Sequence, residues 1–174
     1  MESRIKLFRL LLLIAVLLIF NSYQALAQNK INILAGVGIP EFLNAGINFQ
    51  HNQTQFGIRI GSWPTDEKMI CFSGDLYYHF SGISTLSTRR VWYARFGLVY
   101  LLDETETIID KYVYLNSRIG RDFNISKKIG IEIDAGLIVQ LSHNEKIKKS
   151  SDFWNIVPKP SIVPSIGIAM FYRI

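Results

Sequence analysis

Side chains able to do covalent chemistry are few in this sequence, and their spacing does not favour it. Ser142-His143-Asn144-Glu145 is the densest group, with the hydroxyl, imidazole and carboxylate used in nucleophilic acyl transfer. Adjacent residues of an extended chain point to opposite sides, so Ser142 and His143 are poorly placed to act as a pair. The spacing matches no nucleophile elbow. His79 and Asp75 share a side of an extended run, but the four-residue step from one to the other spans roughly 13 Å at ordinary strand rise. His51, His79 and His143 are scattered and Cys71 is the only cysteine, so no metal-ligand spacing is visible. Phosphate-loop and dinucleotide fingerprints are absent. The expectation is a chain with no catalytic residue, no metal and no cofactor.

A second group of residues has a spacing that suggests structure. Arg59, Asp75, Arg95, Arg118, Glu132 and Asp134 all fall on the polar side of alternating runs. Paired positions in an antiparallel hairpin have a constant sum, so each pair has a centre. Arg59 and Asp75 centre on Glu67, and Asp75 and Arg95 centre on Thr85. Arg95 and Arg118 centre between Glu106 and Thr107, and Arg118 centres with Glu132 on Ile125 and with Asp134 on Ser126. Every centre lies in a connection between runs. Three bases and three acids are therefore expected near one row, as a balanced structural ion cluster. An unpaired buried charge would be costly there.

The elements that position this row are strands. Eight runs alternate: Ile31–Ile39, Asn44–Gln50, Thr54–Ser62, Met69–Phe80, Val91–Leu102, Lys111–Phe123, Lys128–Leu141 and Ile162–Ile174. Isoleucine, valine, phenylalanine and tyrosine dominate them, and helical spacing is absent. The clearest pair is Lys111 to Leu141, joined by an expected turn at Asn124-Ile125-Ser126-Lys127. On its second strand Ile129, Ile131, Ile133, Ala135, Leu137, Val139 and Leu141 alternate with Gly130, Glu132, Asp134, Gly136 and Gln140. One face is apolar throughout; the other carries charges and glycines.

An eight-stranded barrel has an interior just wide enough for side chains to fill. The apolar face carries too much volume for that space, whereas glycines on the polar face leave room for arginine and glutamate. Lysines sit in loops or at strand ends, unlike the free use of lysine on a water-facing surface. The expectation is an all-β, eight-stranded, antiparallel up-and-down barrel, polar inside and lipid-facing outside. Closure pairs every backbone group, as hydrocarbon demands. Aromatics near strand ends, such as Phe49, Phe56, Trp92, Tyr100 and Tyr172, suit interfacial girdles.

The ends and composition agree. Arg4, Lys6 and Arg9 precede an apolar run of 11 residues, Leu10 to Phe20, followed by Ala25-Leu26-Ala27. That is the layout of a cleaved signal peptide over 1–27, leaving one domain over 28–174. The net charge of +5 falls to +3 without that segment, with 16 Lys and Arg against 13 acids, which argues against nucleic acid. A single cysteine in an exported chain forms no internal disulfide, so Cys71 is expected as a small buried side chain.

With these features the sequence resembles small outer-membrane β-barrel proteins of the OmpA/OmpX type, over Ile31 to Ile174. The resemblance rests on pattern: signal peptide, eight amphipathic strands, a long final connection and a closing strand with Ile166, Ile168, Met170 and Tyr172 alternating. It departs from the pattern at Ile174, where many members end in an aromatic. The resemblance implies a bacterial outer-membrane location, contact with outer-membrane lipid and lipopolysaccharide, and recognition by the outer-membrane assembly machinery. Members include anchors, surface-interaction proteins and a few enzymes that act on lipid acyl chains with Ser, His and an acid near the rim. The expected role here is a non-enzymatic anchor with a plugged lumen. The alternatives are a lipid A acyl-chain enzyme or a secreted soluble barrel for a hydrophobic ligand. Lys146, Lys148 and Lys149 make the final connection basic and are candidate contacts for anionic glycolipid.

Overall fold

In the computed structural model, which describes residues 30–64, 68–148 and 161–174, eight antiparallel strands close into a barrel in sequence order. They are β1 (Lys30–Gly38), β2 (Phe42–His51), β3 (Thr54–Pro64), β4 (Lys68–Ser81), β5 (Trp92–Glu104), β6 (Ile108–Asn124), β7 (Ile129–Ile147) and β8 (Ile162–Arg173). Closure is made by β1 with β8, from Asn32 opposite Arg173 to Gly38 opposite Gly167. The expected signal segment, 1–27, lies outside the described residues.

Alternation sorts the side chains as the sequence indicates. Ile58, Leu76, Leu98, Ile119, Leu137 and Ile166 are all more than half or about half exposed on the outer wall. Asn32, Arg59, Asp75, Arg95, Arg118, Glu132 and Asp134 are buried in the lumen. Buried apolar residues add layers that the polar-lumen expectation leaves out. Cys71, Val99, Leu101 and Tyr112 pack together inside, with Phe42, Met69 and Tyr114 against them. Cys71 is a small buried side chain, as expected.

Two boundaries differ from the sequence reading. The β6–β7 turn covers 125–128, one residue later than expected, with Asn124 opposite Gly130. Here Ile125 and Ser126 both donate backbone N–H to the Ile129 carbonyl. The strands also run further than alternation indicates. β7 continues to Ile147 through residues assigned to the last loop, paired all the way with β6 up to Ile108. β8 stops pairing with β7 at Ile162 opposite Val139. The β6–β7 hairpin therefore stands beyond the rim on one side. Among the described residues, the connections 39–41 and 105–107 lie at that end; 52–53, 82–91 and 125–128 lie at the other.

Candidate functional site: a filled lumen and a clustered rim

The centre of the barrel is a charge network built on Arg95. Its Nε donates to Asp75 Oδ1 at 2.9 Å and its Nη2 to Asp75 Oδ2 at 2.8 Å, a two-pronged bond suited to guanidinium. Arg95 also donates to Glu41 Oε1 at 2.5 Å and to Asp134 Oδ2 at 3.3 Å. Arg118 takes the other side of both carboxylates, donating to Glu41 Oε2 at 2.5 Å and Asp134 Oδ1 at 2.9 Å. Arg59 pairs with Glu132 and donates to the Tyr77 hydroxyl. The Tyr77 ring lies under both Arg59 and Arg95, at 5.9 and 5.4 Å from the guanidinium carbons.

All six predicted lumen charges thus belong to one region, but the predicted row is corrected in register. Arg95 does sit opposite Arg118. Asp75, however, is opposite Gly57 and Gly97, and Arg59 is opposite Ser73. Arg118 is opposite Gly136, while Asp134 and Glu132 are opposite Gly120 and Asp122. The ion pairs form diagonally, because an arginine side chain reaches across such an offset. Gly97 is what lets Asp75 lie across the wall: a Cβ there would occupy the position of the Asp75 carboxylate.

Glu41 is the member that alternation misses. It lies in the three-residue 39–41 connection and dips into the lumen, only 1% exposed. Phe42 follows it with a φ of 55°, a left-handed conformation that costs a bulky residue roughly 1–3 kcal/mol. The turn is held by what it reaches. Ser165 Oγ and Arg118 Nη2 donate to the Ile39 carbonyl at 2.7 and 2.5 Å, and Ile39 N–H donates to Ile166 O at 2.9 Å. Burial pushes the Glu41 carboxyl up, but Arg95, Arg118 and Arg59 outweigh it and hold the group at about 2.

At the other mouth the 82–91 connection sends a side chain into the barrel. Arg89 is buried, pairs with Asp122, and lies over the Phe171 ring at 5.3 Å. Arg173 stacks on Phe171 at 4.6 Å and donates to Asn124 Oδ1 at 2.5 Å. His79 does not meet Asp75; its ring nitrogens face the Arg90 carbonyl at 2.8 Å and Gln55 Oε1 at 3.2 Å. Among the described residues, five buried arginines (59, 89, 95, 118 and 173) face five buried carboxylates (41, 75, 122, 132 and 134). The two sets balance in formal charge.

The remaining candidates lie at the tall rim. Ser142 is exposed and directed away from the side that holds His143, as extended geometry requires. His143 instead meets Asp110 at 2.8 Å, and Asp110, His143 and Glu145 place ligand-type atoms within 4.8 Å of one another. Spacing along the chain gives no sign of this juxtaposition, which the β6–β7 pairing creates. Two of the three lysines of the candidate basic patch can be placed. Lys148 Nζ donates to Glu104 Oε1 and to the Thr105 carbonyl, each at 2.9 Å, while Lys146 is exposed on β7. Lys149 lies outside the described residues.

No protein-family model, curated protein or solved structure matches this chain.

Proposed function

We propose that this protein is an integral β-barrel of a bacterial outer membrane, acting as a non-enzymatic anchor with a sealed lumen and a surface-presenting rim. The observation that carries the reading is the division of its two faces. The outer wall presents large exposed apolar side chains from all eight strands, among them Ile33, Ile47, Ile60, Phe72, Phe96, Ile119, Ile133 and Ile168. A monomer in water rarely exposes an apolar belt of that extent. In hydrocarbon the same belt is solvated, and barrel closure satisfies the backbone. Basic and aromatic groups meet on the outer wall near the 125–128 turn. Arg121 lies over Trp92 and Phe123 at 5.4 and 5.1 Å, and Lys128 lies over Tyr172 at 5.7 Å. That combination suits a membrane–water boundary.

The charge-filled lumen supports anchoring over conduction and over carriage of an apolar ligand. The separation of Ser142 from His143 gives no support to acyl-chain hydrolysis by that pair. The test is folding from urea into phospholipid vesicles. A folded band that migrates differently before and after boiling, and is protected from protease, is expected. A chain that folds in buffer alone and ignores the vesicles would refute the proposal.

A further inference from the structure

A β-bulge near the rim re-aims two side chains. Up to Gln140 the inward residues of β7 are the even-numbered ones, including Glu132, Asp134 and Ile138. The register with β6 then shifts: Tyr114 is opposite Gln140, but Val113 is opposite Ser142, leaving Leu141 as the extra residue. Beyond the bulge, His143 and Glu145 take the inward side. There they join Asp110 and Tyr112, which share the parity of Asn116 and Arg118 on β6. Without the inserted residue His143 would continue the outer apolar row. Bulges are often found where a side chain has to be redirected.

We propose that Asp110, His143 and Glu145 form a binding site for a first-row divalent transition-metal ion of the zinc class. One imidazole and two carboxylates make a three-residue donor set of borderline N/O character, which leaves a further position for water or an external donor. The dimensions fit. Bonds of roughly 2.0–2.2 Å in a tetrahedron set ligand atoms about 3.3–3.6 Å apart. The donor atoms here lie within 4.8 Å of one another, and Asp110 Oδ1 and His143 Nε2 are 2.8 Å apart. Binding an ion there would require that pair to open slightly and the exposed Glu145 carboxylate to move in.

The surroundings orient the ligands. Tyr112 is buried, and its ring stacks on His143 with centroids 4.6 Å apart and planes 10° apart. Its hydroxyl donates to Asp110 Oδ2 at 3.1 Å, leaving Oδ1 directed at the imidazole. Such outer partners fix ring and carboxylate orientation in metal sites. Asp103, opposite Asp110 in the β5–β6 register, adds another carboxylate to the same side. The site does not depend on the outer-membrane reading.

The test uses the full chain purified in detergent, stripped with chelator and titrated with zinc chloride in a calorimeter. One ion per chain with micromolar or tighter affinity is expected. H143A and E145Q should each weaken binding at least tenfold, while K146A leaves it unchanged, with heat-modifiable migration confirming that each variant is folded. The wild-type protein loaded with cobalt(II) should show the intense visible absorption of a four- or five-coordinate ion, a readout that needs no variant. A hexaaqua-like cobalt spectrum, no saturable zinc binding, or equal binding by folded H143A would overturn the proposal.

Discussion

Arg95 and Glu41 are 54 residues apart in the chain and meet at 2.5 Å in the middle of the barrel. The contact ties a wall strand to the connection that crosses the opposite side of the lumen. Glu41 is shared with Arg118, so one carboxylate links two arginines on β5 and β6 to the turn between β1 and β2.

Removing Glu41 should therefore cost more than a loop substitution usually does. E41A leaves Arg95 and Arg118 buried with one carboxylate fewer, and breaking a buried pair costs about 3–5 kcal/mol. Asp75 and Asp134 still face Arg95, so about 3 kcal/mol is expected. Urea unfolding of the folded barrel measures it. A loss below about 0.5 kcal/mol, the ordinary surface value, would show that the contact is not structural.

The same group sets an acid limit. The surrounding arginines hold the Glu41 carboxyl at about 2 in the folded barrel, below the ordinary carboxylate value of 4.5. The unfolded chain therefore binds the proton first as pH falls, and stability drops in that direction. The Glu41 contribution is complete above about 4.5 and is lost as pH falls towards 2. E41Q, which has no proton to gain there, should show a shallower decline in melting temperature between those limits. Parallel curves for wild type and E41Q would count against the assignment.

Two glycines should behave in opposite ways. At Gly97 a Cβ would strike the Asp75 carboxylate and come within 2.8 Å of the Gly74 carbonyl. G97A is expected to cost about 1–3 kcal/mol by overpacking and by displacing Asp75 from Arg95. At Gly74 a Cβ meets nothing within 4 Å. G74A is expected to lie within about 0.5 kcal/mol of wild type. Equal effects at the two sites would show that Asp75 is not packed across Gly97.

An outward arginine probes the solvent of the wall. Leu98 is 55% exposed on β5. In a bilayer L98R should cost about 2–4 kcal/mol if the residue lies near the midplane, whereas a water-facing site would tolerate it within about 0.5 kcal/mol. Unfolding free energies in vesicles separate the two cases.

Much of this arrangement is legible in the sequence because the side-chain period of a strand is two. Ile129, Ile131 and Ile133 mark one face and Glu132 and Asp134 the other, whatever the register. Register itself is less visible. Turn centres place Arg95 opposite Arg118 correctly, yet misplace Asp75 and Arg59 by two residues, because strand extension moves a turn without changing alternation. Glu41 has no period at all: it sits after Pro40 in a short connection, and only the folded turn directs it inward. The rim cluster is hidden for a third reason. Strict alternation puts His143 and Glu145 with Leu141 on the outer face, and one inserted residue reverses that. A bulge leaves little trace in hydrophobic pattern where the following residues are all polar, as Ser142 to Lys146 are.

The most direct measurement is fractionation of cells expressing the full chain, with carbonate and urea washes followed by detergent extraction of the outer membrane. The account predicts that the protein stays with the outer membrane through the washes, is released only by detergent, and shifts its gel migration on boiling. Recovery of folded protein in the soluble periplasmic fraction would contradict it.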